Sequence, residues 1–391
     1  MPIIKHIRDF YRRRRARVME KVNFFHYRAE ESGKRLKIFY ARFERPISSL
    51  SLVGGFVFDA LTLQRVDALW DNFWVVAHLA IVGVFMVLIH AQESTPGDEH
   101  DATKKHFWYV NILQFFFGGI LSTYLVFYFR SADILVTWPF ILILVAAFWA
   151  NESLKRHYIR LSFQISLYFL CLYSFAIFLV PVLLHQIGNQ IFLISGAVAL
   201  ALIGIFILTL YILAREKFKR SRKIILISIL SIIVLINILY FTNLIPPIPL
   251  SLKGGDIYHS VLRDTSGNYI VQNENSGWLQ YFQLYPDFHE VVGSPIYAFS
   301  AIFSPSDLNL TIVHQWQYYN SATGKWVTAG TVELPVVGGR DGGFRTFSVW
   351  TNATAGHWRV NVKTQNGQTI GTMRFNVVSV PTEPALVTEV K

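Results

Sequence analysis

The chain has 391 residues, of which 52 % are hydrophobic and only 16 % charged, against about a quarter charged in soluble globular domains. That composition excludes an ordinary water-soluble fold, and an aromatic share of 15 % suits a lipid-facing surface with interfacial belts. The net charge of +11 is unevenly placed: residues 1–46 carry 14 Lys and Arg against 5 acids, whereas residues 252–391 carry 9 against 10.

The basic arm, residues 1–46, comes first. Arg12, Arg13, Arg14, Arg15 and Arg17 form a run, and Leu36, Phe39, Tyr40 and Phe43 follow at helical spacing. The pattern predicts an amphipathic helix on the inner leaflet, each cation drawn to anionic headgroups by about 1 kcal/mol. A plainer reading makes the arm a topology determinant alone. Nothing in it builds a nucleic-acid-binding fold. It is too long for the n-region of a removable signal peptide, and no small-residue cleavage site follows the first apolar run.

Seven apolar stretches approach the roughly 17–25 residues needed to span a bilayer: Ile47–Leu63, Leu69–Ala91, Phe107–Phe129, Ile134–Ala150, Leu161–Leu184, Ile191–Ala214 and Ile224–Leu244. The first is short and carries Asp59. Basic residues are retained on the cytoplasmic side. With the N-terminus inside, the inner segments 1–46, 92–106, 151–160 and 215–223 hold 25 Lys and Arg, and the short outer loops hold 2. Six spans, with the first stretch re-entrant, would give 16 against 11. Seven spans and an extracytoplasmic C-terminal region are therefore expected. Cys171, the one cysteine, lies in an apolar run, which excludes a disulfide framework, zinc ribbons and CxxC redox chemistry.

Asp59, Arg65, Asp67, Asp71 and Asn72 flank the first outer loop, and ionisable groups at membrane depth are functional candidates. Asp67 and Asp71 share a helix face. Two readings stand: a salt-bridged turn joining two spans, or a small polar or cation site opening outward. His78, His90, Asn111, Gln114, Gln164 and His185 are scattered, as expected of side chains that join helices by hydrogen bonds. No Walker, kinase or phosphatase pattern appears.

Beyond the spans, Pro246, Pro247 and Pro249 predict a stiff, extended exit. Residues 251–294 read as a membrane-proximal linker and hairpin region, with strands Asp256–Leu262 and Tyr269–Asn273. Trp278, Tyr281, Phe282, Tyr285 and Phe288 suit either the bilayer interface or a small core. Residues 295–380 read as six or seven short strands, an immunoglobulin-like sandwich with Trp316, Trp350 and Trp358 in its core. Asn366-Gly367 signals a type I′ hairpin. In His357–Thr364, Trp358, Val360 and Val362 face in, while His357, Arg359, Asn361 and Lys363 face out. Residues 381–391 read as a flexible tail. The fold class is thus a membrane all-α bundle of about seven helices followed by an all-β, immunoglobulin-like sandwich.

The segments YAFSAIFSPSDL, HQWQYY, GGRDGGFRTFS and GHWRVNVKTQNGQTIGTMRFNV resemble a C-terminal domain of unknown function found in bacterial multi-pass membrane proteins. The IPPIPL exit and GFVFDALTL extend the similarity over nearly the whole chain. The resemblance implies a bacterial inner-membrane protein with an exported β-sandwich, and implies no activity.

In GGRDGGFR, Gly338–Arg345, Arg340 and Arg345 suit carboxylate or phosphate, and Asp341 satisfies one of them. Arg359 and His357 extend this candidate ligand site if the strands neighbour. The bland alternative is a tight loop whose arginines pair with Asp341 or Glu333. His259, His289, His314 and His357 match no metal-ligand spacing, so neither metal nor cofactor is expected. Three functions compete. The first is a non-enzymatic envelope protein presenting the sandwich to a glycan, lipid or protein partner. The second is a transporter or lipid-handling protein, and the third an envelope-modifying enzyme using Asp67 and Asp71.

Overall fold

The computed structural model describes residues 54–63, 68–92, 99–153, 160–274, 283–305, 308, 310–338 and 342–391. The basic arm with Arg12, Arg13, Arg14, Arg15 and Arg17, the first seven residues of the first expected span, and Arg65, Asp67, Trp278, Tyr281, Phe282, Arg340 and Asp341 lie outside the described residues.

Long apolar runs have nowhere to satisfy their backbone in hydrocarbon except within a helix. Helix α1 covers 54–62, followed by α2 Leu69–Gln92, α3 Glu99–Arg130, α4 Ile134–Ser153, α5 Leu161–Leu184, α6 Asn189–Leu213 and α7 Arg215–Phe241. Six of them, α2 to α7, are long and apolar enough to cross a membrane. Trp138, Trp149, Ile205, Ile212, Leu226 and Leu230 on α4, α6 and α7 stay exposed, as a surface solvated by lipid requires. Residues 215–223, expected as a loop, are instead the first turns of α7. Their Lys, Arg and Glu are good helix formers and no Gly or Pro interrupts them.

The scattered polar side chains join helices. Gln114 and Asn151 exchange side-chain-to-backbone hydrogen bonds of 2.8 and 3.1 Å between α3 and α4. Tyr124 and Tyr128 donate to the Cys171 and Ser174 carbonyls of α5 at 2.8 and 2.9 Å. His90 meets Gln164 at 3.0 Å between α2 and α5. Each bond satisfies a group that would otherwise be costly to hold away from water.

The described residues of the C-terminal third are all β: β1 Ser251–Tyr258, β2 Ser260–Arg263, β3 Tyr269–Glu274, β4 Asp287–Val291, β5 Ile296–Phe303, β6 Leu310–Asn320, β7 Lys325–Val336, β8 Phe344–Trp350, β9 Gly356–Thr364, β10 Thr369–Val380 and β11 Leu386–Val390. They form three sheets, ordered β1-β5-β8, β4-β10-β9-β6-β7 and β11-β3-β2. Ile296, Ala298 and Ile302 of β5 pack with Trp316, Trp358, Val360 and Phe375 of the five-stranded sheet. Phe299 and Ala301, on the other face of β5, pack with Val261, Tyr269 and Val271. The β1-β5-β8 sheet is therefore covered on both faces, and alternation along β5 gives way to near-continuous burial. Trp316 and Trp358 are buried, and Trp350 lies 6.0 and 6.2 Å from them, ring to ring.

Four expectations are corrected. The proline-rich exit is not extended, since residues 245–250 fold into buried turns. Ser251–Tyr258 is not linker but β1, paired along its length with β5. The tail is not free, because Leu386–Val390 pairs with β3 and Lys391 exchanges backbone bonds of 2.8 and 3.0 Å with Tyr269. The β9–β10 turn is not type I′. Of its residues only Gly367 has positive φ, at 86°, and Gly367 N donates to Thr364 O at 2.9 Å. Gln365 and Asn366 are thus the turn's centre, and Gly367 takes the left-handed position after it.

That turn sits on the helices. Asn366 packs at Gly188 between α5 and α6, and Asn243 after α7 packs at Gly367. Gln368 closes one wall of an apolar cavity of about 30 Å³ beside Pro181, Tyr240 and Ile245–Ile248.

Candidate functional site

On the five-stranded sheet the outward residues of β9 are His357, Arg359, Asn361 and Lys363, because Trp358, Val360 and Val362 go inward. Register fills in the neighbours. Arg374 of β10 stands opposite Arg359, and Thr372 opposite Asn361. On β6, Gln317 stands opposite Arg359 and Gln315 opposite Asn361. The outcome is a polar face with three cations on two adjacent strands.

Gln317 is its hub. Its Oε1 accepts from Arg359 Nε at 2.8 Å and from Asn361 Nδ2 at 3.0 Å, while its Nε2 donates to Thr328 at 3.0 Å. The Arg359 guanidinium lies 4.3 Å over the Trp326 ring, against which Tyr285 stacks. Tyr285 also meets His357, with ring centres 4.6 Å apart. A carboxylate arrives from the helices. Asp133, buried in the turn between α3 and α4, accepts from Thr372 Oγ1 at 2.6 Å and lies 3.9 Å from Arg374. Its backbone oxygen meanwhile accepts from Thr137 in the first turn of α4.

The cations outnumber their acid. Like charges directly opposite each other on antiparallel strands destabilise the pair, and here Arg359 faces Arg374. Burial pushes the Arg359 guanidinium below its ordinary range, and Arg374 adds to this. Burial likewise pushes the Lys363 ammonium down, with Arg359 reinforcing it. Among the described residues no carboxylate lies within ion-pair distance of Lys363. Such an arrangement favours an anion that bridges the cations.

The other expected site residues fall elsewhere. Arg345 lies on β8, in a different sheet from β9, so it does not join Arg359 and His357. Its guanidinium donates to the Lys391 carbonyl at 2.8 Å, and its own carbonyl accepts from the Tyr269 hydroxyl at 3.1 Å. Two glycines of the loop have steric reasons: a Cβ on Gly338 would collide with the Pro305 carbonyl, and Gly343 has φ 84° against the β5 backbone. In the bundle, Asp59 on α1 interacts electrostatically with His78 on α2. Asp71 lies in the first turn of α2, and the Asn72 side chain donates to Ala68 O at 3.0 Å. Arg130, not singled out from sequence, donates to the Ala60 and Leu63 carbonyls at the end of α1. His314 is enclosed between Ser300 and Ser348. His259 and His289 both bind Glu274, at 3.0 and 2.7 Å.

Sequence reading found Arg359 and His357 but missed Arg374, Gln317, Trp326 and Asp133. Alternation through Met373 and Phe375 would have turned Arg374 outward. Asp133, just ahead of an apolar run, carried a helix-start signal.

Residues 309–377, nearly the whole of β6 to β10, match the family model described as Protein of unknown function (DUF2914). The matched segment contains Arg359, Lys363, Arg374 and Gln317. The chain thus joins six helices long and apolar enough to cross a membrane to a C-terminal β domain that contains the matched segment. No curated protein matches it. Among solved structures, the Pseudomonas fluorescens alkylpurine DNA glycosylase AlkC bound to DNA containing an abasic site analog aligns at 9 % identity. The alignment covers 78 % of this chain and 98 % of that one at a TM-score of 0.21.

Proposed function

We propose that this is a non-enzymatic protein of the bacterial cytoplasmic membrane. Its N-terminus is cytoplasmic, its β domain extracytoplasmic, and it holds that domain against the membrane to bind an anionic envelope component. Orientation rests on the 25-to-2 distribution of Lys and Arg, and the bacterial setting on the resemblance of the C-terminal segments. The basic arm serves as a second contact, with anionic lipids of the inner leaflet. The observation that carries the reading is the outward face of β9 and β10, where Arg359, Lys363 and Arg374 stand together and, among the described residues, only Arg374 has a carboxylate at ion-pair distance, Asp133.

The test is capture of envelope components by full-length protein in detergent, wild type beside Arg359→Gln. Loss of anionic material from the variant, with an unchanged melt, is the expected result. Equal capture by both proteins would overturn the proposal.

A further inference from the structure

We propose that Lys363, Arg359 and Arg374 hold the phosphate of a lipid headgroup drawn from the leaflet beside the β domain. The inference rests on the binding role proposed above and names its ligand.

Depth is the first argument. Asp133 lies between the apolar stretches Tyr109–Arg130 and Ile134–Asn151, so it marks the level where two spans meet the headgroups. Its 2.6 Å bond places Thr372 at that level, and Asn361 is the register partner of Thr372. Lys363 follows two residues along β9 on the same face, about 7 Å further, toward the turn that packs on the helix ends. Lys363 therefore stands on the helix side of that level, beside lipid phosphates, and Arg359 and Arg374 flank the level two residues the other way along their strands.

Chemistry is the second. Arg359 spends its Nε on Gln317 and lays its plane over Trp326, which leaves its terminal N–H groups for another acceptor. Lys363 adds three donors and has no carboxylate within reach among the described residues. Among the described residues Arg374 has only Asp133 as an acid partner, at 3.9 Å. A phosphate, carrying negative charge on a compact tetrahedron, suits these unmatched donors and relieves the repulsion among the cations.

The probe is dihexanoyl phosphatidylglycerol, titrated into full-length protein in dodecyl maltoside. Dihexanoyl phosphatidylcholine and inorganic phosphate are run in parallel. The basic arm attracts the same lipid, so the readout is the difference between wild type and Lys363→Gln. Lys325→Gln, an equal charge change at the exposed start of β7, is the control. Expected is at least tenfold weaker phosphatidylglycerol binding in Lys363→Gln, wild-type binding in Lys325→Gln, and recovery in Lys363→Arg. The Lys363→Gln melt should be unchanged or higher, because the lysine is repelled where it stands. Equal phosphatidylglycerol binding by wild type and Lys363→Gln overturns the inference. Inorganic phosphate binding as tightly as the lipid, and lost in Lys363→Gln, keeps the phosphate chemistry and overturns the lipid source. Loss of envelope capture in Arg359→Gln alongside unchanged lipid binding in Lys363→Gln would sink this inference alone. Unchanged capture would sink the binding role itself.

Discussion

His314 and Ser348 meet across the sandwich core, ring Nδ1 2.9 Å from hydroxyl Oγ, where no solvent reaches the histidine. Ser300 lies 2.9 Å from the other ring nitrogen, and the Trp316 indole donates to Ser348 at 3.0 Å. A neutral ring offers one N–H and one lone pair, which two hydroxyls can match. An imidazolium would require both hydroxyls to accept and would place a charge where no water reaches it.

Burial therefore pushes His314 down to about 4, from 6.5 when unfolded. Between these values the unfolded chain binds more protons, so stability rises with pH in that window. The contribution is complete above about 6.5 and is lost as pH falls toward 4, by up to about 3 kcal/mol. Melts of the full chain from pH 7 to 4, followed by tryptophan fluorescence, should show this loss, and His314→Gln should flatten it. An equal slope in the variant would assign the pH dependence to other groups.

Two neighbouring glycines should behave differently. Gly343 sits at φ 84°, and a Cβ there would lie 2.9 Å from the Ala301 and Ile302 backbone, whereas Gly342 has open space. Gly343→Ala is expected to cost about 1–3 kcal/mol and Gly342→Ala almost nothing. Paired chemical denaturation of the two variants checks this. Equal effects would mean that the loop relaxes freely.

Arg345→Ala should loosen the carboxyl end of the chain rather than weaken binding. It removes a charge-assisted hydrogen bond to Lys391 O, worth about 1.5–3 kcal/mol. Hydrogen exchange should quicken in Leu386–Val390 and in its partner β3 while envelope capture stays intact. Lost capture with unchanged exchange would return Arg345 to the ligand site.

Topology is open to direct chemistry. A cysteine at Ser321, at the exposed tip of the β6–β7 hairpin, should react with an impermeant maleimide in intact spheroplasts. One at Arg222 in the basic start of α7 should react only after lysis. The reverse pattern would invert the proposed orientation.

The helices were legible because an apolar run long enough to span a bilayer leaves the chain little choice. The strands from Ile296 to Val380 were legible through their turns and alternation. β11 was not: the run LVTEV is short and mostly exposed, and its partner lies more than a hundred residues earlier. The exit after α7 misled because three prolines suggest an extended chain, whereas burial of Ile245, Ile248 and Leu250 decides its path. The candidate site was half legible. Alternation put Arg359 and Lys363 outward, but Arg374 and Asp133 join them only through a register and a docking contact that local sequence does not encode.

The attachment of the β domain through residues 245–250, the β9–β10 turn and Asp133 changes how a target would be met. A domain on a loose tether sweeps a volume and finds partners by tumbling. Held by these contacts in a bilayer, this one would keep a single heading, and its search would be two-dimensional, conducted by lateral diffusion of the whole molecule. A target tethered in the same bilayer would be approached at nearly fixed height and angle, while one free in the surrounding fluid would have to supply the correct orientation itself.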